Sequence, residues 1–117
     1  MREIKRIDAG DRLSEATIHS GIIYLAGQVP EDTSLDAYGQ TKQVLQLIDN
    51  LLAQSQSDKS RILRAEIFLA DMQDYAAMNQ AWDEWVIAGS APARATVEAK
   101  LANPDWKVEI VITAACQ

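Results

Sequence analysis

The segments Ala93–Leu101, ARATVEAKL, and Lys107–Ala115, KVEIVITAA, decide which layers this chain builds. Both alternate in character, and successive side chains of a strand point to opposite faces of a sheet. In the first, Arg94, Thr96, Glu98 and Lys100 share one side while Ala95, Val97, Ala99 and Leu101 share the other. In the second, Glu109, Val111 and Thr113 oppose Val108, Ile110, Ile112 and Ala114. The connecting Ala102–Trp106, ANPDW, is turn-like, so the pair reads as a hairpin. One face is then wholly apolar, as helices packed on a sheet require, and the other is mixed and carries Arg94 and Glu109. A mixed face of Thr, Val, Ala and a few charges is too apolar for water and too polar for a core. It points to partial burial against further copies of the chain.

Working outward, the first third is also strand-like. EIKRID and ATIHSGIIYLAGQVP are rich in β-branched residues, with a turn at Ser20–Gly21 and a stop at Pro30. From Ser34 the period changes: Tyr38, Thr41, Val44, Leu45, Ile48, Leu51 and Leu52 recur at helical spacing, an amphipathic helix of about five turns capped by Thr33 or Ser34. After the polar SQSDKS, the run RILRAEIFLADM reads as a strand. A second helix follows, with Asp74 as its cap, Tyr75, Met78, Trp82 and Trp85 or Val86 as its apolar stripe, and Gly89 as its left-handed stop. The order β-β-β-α-β-α-β-β predicts an α+β fold with both helices on one face of a mixed sheet, in one domain spanning 1–117.

Composition narrows the functions. Hydrophobic residues make up 48% of the 117 and charged residues 24%, an ordinary globular balance. The formal charge of -6 opposes any surface that gains affinity by neutralising many phosphates, so nucleic acid is a poor main partner. One cysteine, Cys116, excludes an internal disulfide, and one histidine, His19, leaves no His/Cys metal cluster. Nothing approaches the ~20 apolar residues of a membrane span, and MREIKRIDAG lacks a signal-peptide core, so the expected location is cytoplasmic.

Four pieces of this sequence, in order, carry a family resemblance: YLAGQVP, DYAAMNQAW, PARATVEA and KVEIVITA. Together they resemble the RidA/YjgF (RutC) family of imine and enamine deaminases. The short second helix with its tryptophans and VEAKLANPDWKVEI look most like the YoaB-like branch. The resemblance implies a chorismate-mutase-like fold, a homotrimer, and clefts between neighbouring subunits. It implies hydrolysis of small 2-imino acids of the 2-aminoacrylate/2-iminopropionate type to 2-keto acids and ammonia, without metal or organic cofactor.

The residues suit that chemistry. An imino acid has a carboxylate beside its electrophilic C=N carbon, and a guanidinium fork holds a carboxylate where lysine would offer only a point charge. Arg94 is therefore the expected clamp. Glu109, by resemblance to the family's KVEI glutamate, would hold the attacking water or move its proton. Gly27 lets backbone approach a ligand closely, Thr96 stands where many relatives have Cys and offers a hydroxyl, and Asn79 would support the cleft. Leu13 falls near a position where the family carries tyrosine.

The plain structural alternatives are an ion pair of Arg94 with Glu98 or Glu109 across a subunit boundary, a strand-face ion pair of Glu109 with Lys or Arg on a neighbour, and local or interfacial hydrogen bonding for Asn79. His19 and Cys116 read as bystanders. Two other functions remain: a non-catalytic binder of small 2-keto carboxylates using the same Arg94, and an RNA-directed nuclease or translation inhibitor, which the negative charge and the single histidine oppose.

Overall fold

The computed structural model describes residues 3–117; Met1 and Arg2, the start of the stretch read above for a leader, lie outside them. The strands are β1 (Lys5–Ile7), β2 (Ala16–His19), β3 (Ile22–Leu25), β4 (Ile62–Leu69), β5 (Ala93–Glu98) and β6 (Val108–Ala115), and the helices α1 (Ala37–Gln54) and α2 (Tyr75–Trp85). They form one six-stranded mixed sheet in the order β1-β2-β3-β6-β4-β5. No helix of the described residues is long and apolar enough to cross a membrane.

The opening meander forms as the alternation predicts. Ser20 and Gly21 both take positive φ (52° and 80°), the backbone that a two-residue hairpin needs to follow the strand twist. Both helices cover one face. Val44, Leu45, Ile48, Leu51 and Leu52 of α1 and Met78 and Trp82 of α2 form a single core with Ile23, Ala65, Ile67, Leu69, Val108, Ile110 and Ile112. Each such fully buried aliphatic side chain contributes roughly 1.5–3 kcal/mol.

The helix ends differ from expectation. α1 is capped by Asp36, whose Oδ1 accepts from Gly39 N at 2.8 Å, while Ser34 is tied to Asp32 one turn earlier. A carboxylate at the cap faces the positive end of the helix dipole, which a hydroxyl does not exploit as well. α2 follows a 3₁₀ turn, Met72–Asp74, capped by Asp71; Asp74 precedes α2 without a side-chain cap bond. Gly89 is left-handed (φ 84°) but lies in the turn beyond the helix, which stops at Val86 in extended conformation.

The larger correction concerns β5 and β6, which are not a hairpin. β6 inserts antiparallel between β3 and β4, and β5 runs parallel to β4 as the sheet edge. α2 is the crossover between β4 and β5, and a strand-helix-strand unit brings its strands together in parallel. This changes the faces. Arg94 lies opposite Ala65 and Thr96 opposite Ile67, both on the helix-covered side, whereas Val97 and Glu109 lie on either side of Phe68 on the open side. Ala95 and Val97, expected to be core-facing, are exposed. Arg94 and Glu109 therefore point to opposite faces of the sheet. The physical reason is the surface above Arg94: aromatic rings and a thioether from α2 accept a guanidinium, so a charge can occupy the helix side of an edge strand.

Candidate active site

Arg94 is held by α2. Its guanidinium carbon stands 5.2 Å from the centroid of the buried Trp82 ring and 6.0 Å from that of Tyr75. Nη1 lies 3.9 Å from Met78 Sδ and Nη2 3.4 Å from Tyr75 Oη. Within the chain, among the described residues, Arg94 pairs with neither Glu98 nor Glu109. Glu98 Oε1 instead accepts from Met72 N at 2.8 Å, and the single salt bridge among the described residues joins Arg64 to Glu66. Arg94 is thus a half-buried cation with polarisable neighbours and no carboxylate.

Thr96 follows on the same face. Its Oγ1 is buried and has no hydrogen-bond partner, a state that costs roughly 1–3 kcal/mol for a hydroxyl in a dry environment. Asn79 stands one turn beyond Tyr75 on α2; its side chain first, and the nearby Arg94 charge second, hold the Tyr75 pKa below its ordinary 10.0. Asn79 thus lies on the same side of α2 as Tyr75, a residue that the apolar stripe assigns to packing. The i, i+4 spacing of Tyr75 and Asn79 was the available signal, since such pairs share a helix face.

Glu109 lies apart from Arg94, on the open face of the sheet. The segment after β3 rejoins the sheet where Gln28 and Ile110 exchange both main-chain hydrogen bonds (2.8 and 3.1 Å). This lays Gly27 beside Glu109 on the open face. A Cβ built on Gly27 would overlap Glu109 Oε2 and come within 2.9 Å of its Cδ, so the absent side chain makes room for this carboxylate. Leu13, Glu15, Gly27, Gln28, Trp106 and Glu109 are among the residues lining a hollow of about 480 Å³. Leu13, 58% exposed, lines the same hollow as Glu109.

Buried Gln40 anchors the strand that carries Glu109. Its Oε1 accepts from Lys107 N at 2.8 Å, and its Nε2 donates to the carbonyls of Leu35 (3.1 Å), Asp105 (3.2 Å) and Thr33 (3.4 Å). Sequence reading passed over Gln40 because it sits inside the apolar stripe of α1. His19 is exposed, and Cys116 packs beside Ser55 O at 3.8 Å, away from Arg94 and Glu109.

Residues 3–116 match the family described as Endoribonuclease L-PSP. The chain belongs to this family, the RidA/YjgF/RutC family. It is 65% identical over 114 residues to a RutC family protein of Haemophilus influenzae, covering 97% of this chain and 98% of that one. It is 54% identical over 112 residues to the RutC family protein YoaB of Escherichia coli, covering 96% and 97%. A crystal structure of a YjgF-family protein from Neisseria meningitidis superposes with a TM-score of 0.96 at 50% identity, over 98% of this chain and 96% of that one. The six-stranded mixed sheet with two helices is the architecture these proteins share.

Proposed function

We propose that this protein hydrolyses small 2-imino acids to 2-keto acids and ammonia at clefts formed between copies of the chain, assembled as a homotrimer. The observation that carries this reading is Arg94: a guanidinium stacked on aromatic rings, provided with no carboxylate of its own, on the edge strand. Such a group suits a two-pronged bond to a ligand carboxylate, worth more in a partly dry site than in water. Because Glu109 faces the other side of the sheet, one chain cannot bring it to a ligand held by its own Arg94. A second copy, docking its open face at the β5 edge, can. Tyr24 and Val97, respectively 50% and 48% exposed on that open face, supply apolar surface for the contact.

The chemistry balances with water alone. Arg94 holds the carboxylate and leaves the adjacent C=N carbon open. Glu109 of a neighbouring copy orients water and accepts its proton as oxygen bonds to that carbon. The C=N π pair goes to nitrogen, which takes this proton from Glu109 to give a carbinolamine. The hydroxyl proton then passes through Glu109 to the same nitrogen as C=O forms and the C–N bond breaks, and ammonia and the keto acid leave. Thr96 lies on the Arg94 side with its Oγ1 buried and without a partner among the described residues, so it shapes that side of the cleft from beneath.

Leu13 favours one further reading. It lines the Glu109 hollow with a side chain that offers neither proton nor hydrogen bond, which suits a binder of 2-keto carboxylates without turnover. The nuclease activity in the family's description gains no support from a chain of net charge -6 with one exposed histidine. The test is loss of a 2-imino acid generated in situ by an amino-acid oxidase. Acceleration by the wild type that disappears in Arg94→Ala supports hydrolysis. Saturable keto-acid binding with no acceleration supports the binder, and neither effect refutes both.

A further inference from the structure

A stacked guanidinium is held in place but not in angle. The face of Trp82 attracts the Arg94 cation through the ring quadrupole, and this attraction leaves the fork able to turn within its own plane. A bidentate carboxylate contact tolerates no such freedom, because two parallel N–H groups must face two oxygens together. Directional contact with Arg94 comes from Tyr75, whose oxygen lies 3.4 Å from Nη2, at the long end of a hydrogen bond; the Met78 sulfur near Nη1 is a weak acceptor. Asn79 lies one helical turn away on the same face of α2, and the lowered pKa of the phenol reflects both neighbours, Asn79 first and Arg94 second.

We propose that Tyr75 is a positioning residue for the carboxylate clamp: its oxygen accepts from one Nη of Arg94 and sets the in-plane angle at which the remaining N–H groups meet a 2-keto or 2-imino carboxylate. This rests on Arg94 being the clamp. Tyr75 touches neither the reacting carbon nor water, so it acts on binding and leaves the chemical step alone. Asn79 acts only through Tyr75.

The test measures 2-oxobutanoate binding by calorimetry, and KM and kcat in the imine assay, for wild type, Arg94→Ala, Tyr75→Phe, Asn79→Ala and the double variant Tyr75→Phe/Asn79→Ala. Phenylalanine keeps the ring and its contact with the guanidinium and removes only the oxygen. We expect Tyr75→Phe to weaken 2-oxobutanoate binding and to raise KM by about five- to tenfold, the scale of one hydrogen bond, with kcat unchanged. Asn79→Ala should give a smaller loss, and the double variant should be no worse than Tyr75→Phe, since the two act in series. Loss of binding in Arg94→Ala with Tyr75→Phe equal to wild type overturns the positioning role and leaves the clamp standing. Wild-type binding by Arg94→Ala removes the clamp itself. A fall in kcat without a rise in KM, or additive losses in the double variant, also refutes the proposal. Tyr75 is 43% exposed, so its replacement by phenylalanine leaves the fold intact, to be verified by an unchanged Tm.

Discussion

Gly27→Ala places one methyl group against the Glu109 carboxylate and separates activity from stability. The added Cβ would overlap Oε2 and sit 2.9 Å from Cδ, against the ~3.5 Å of ordinary carbon contact, so the carboxylate must withdraw by about 1 Å or more. Only the flexible end of a side chain has to move. The backbone of Gly27 does not occupy the left-handed region, so alanine fits it and removes freedom from the unfolded chain, a gain of about 0.4–1 kcal/mol that offsets the displaced rotamer. Net stability should stay within about 1 kcal/mol of wild type, a Tm shift of a few degrees at most. Misplacing a proton-handling group by this distance costs on the order of 100-fold in rate. The assay is imine turnover beside a thermal melt: kcat should fall on that scale while KM and Tm hold. Wild-type kcat in a folded Gly27→Ala protein would mean that the Glu109 carboxylate plays no part in the chemistry.

Three further outcomes are expected. Gln40→Ala deletes the bonds that join Lys107 N and the carbonyls of Leu35 and Asp105, and should lower stability by about 2–4 kcal/mol in denaturant titration; a loss below 0.5 kcal/mol contradicts the anchoring role. Thr96→Val removes a buried hydroxyl that has no partner among the described residues, so Tm should hold or rise; a clear drop in Tm means the hydroxyl is satisfied in the assembled protein. In an ultraviolet titration the Tyr75 phenol should ionise below the ordinary tyrosine range, and Asn79→Ala should move it back up. A pKa lowered by folding means the folded state binds this proton less tightly than the unfolded one. Its contribution to stability is therefore absent well below the lowered pKa and grows as pH rises through it.

Much of the molecule is visible in its sequence wherever local pattern decides the outcome. The Ser20–Gly21 hairpin and the buried stripe of α1 follow from turn chemistry and a 3.6-residue period. β5 was misread because pairing is a long-range choice: ARATVEAKL and KVEIVITAA alternate equally well as a hairpin or as separate strands. The deciding signal was the β4-α2-β5 order, which demands a parallel crossover. The face of β5 was also ambiguous, since its alanines and valine are small enough for either side and an arginine stem can lie on aromatic rings. Arg94, Thr96, Gly27 and Glu109 were legible as candidates through motif order. That Arg94 and Glu109 lie on opposite faces required the sheet register, and the contact of Tyr75 with Arg94 required the helix beside it.

Mixing subunits tests the shared cleft most directly. Arg94→Ala and Glu109→Gln are each expected to be inactive alone in the imine assay. When the two are denatured together and refolded at equal amounts, a subunit with intact Arg94 meets one with intact Glu109 at roughly a quarter of the interfaces of a cyclic assembly. Recovery of about a quarter of wild-type activity is the expected result. No recovery from mixed, folded oligomers would place Arg94 and Glu109 in no common site and contradict hydrolysis between copies.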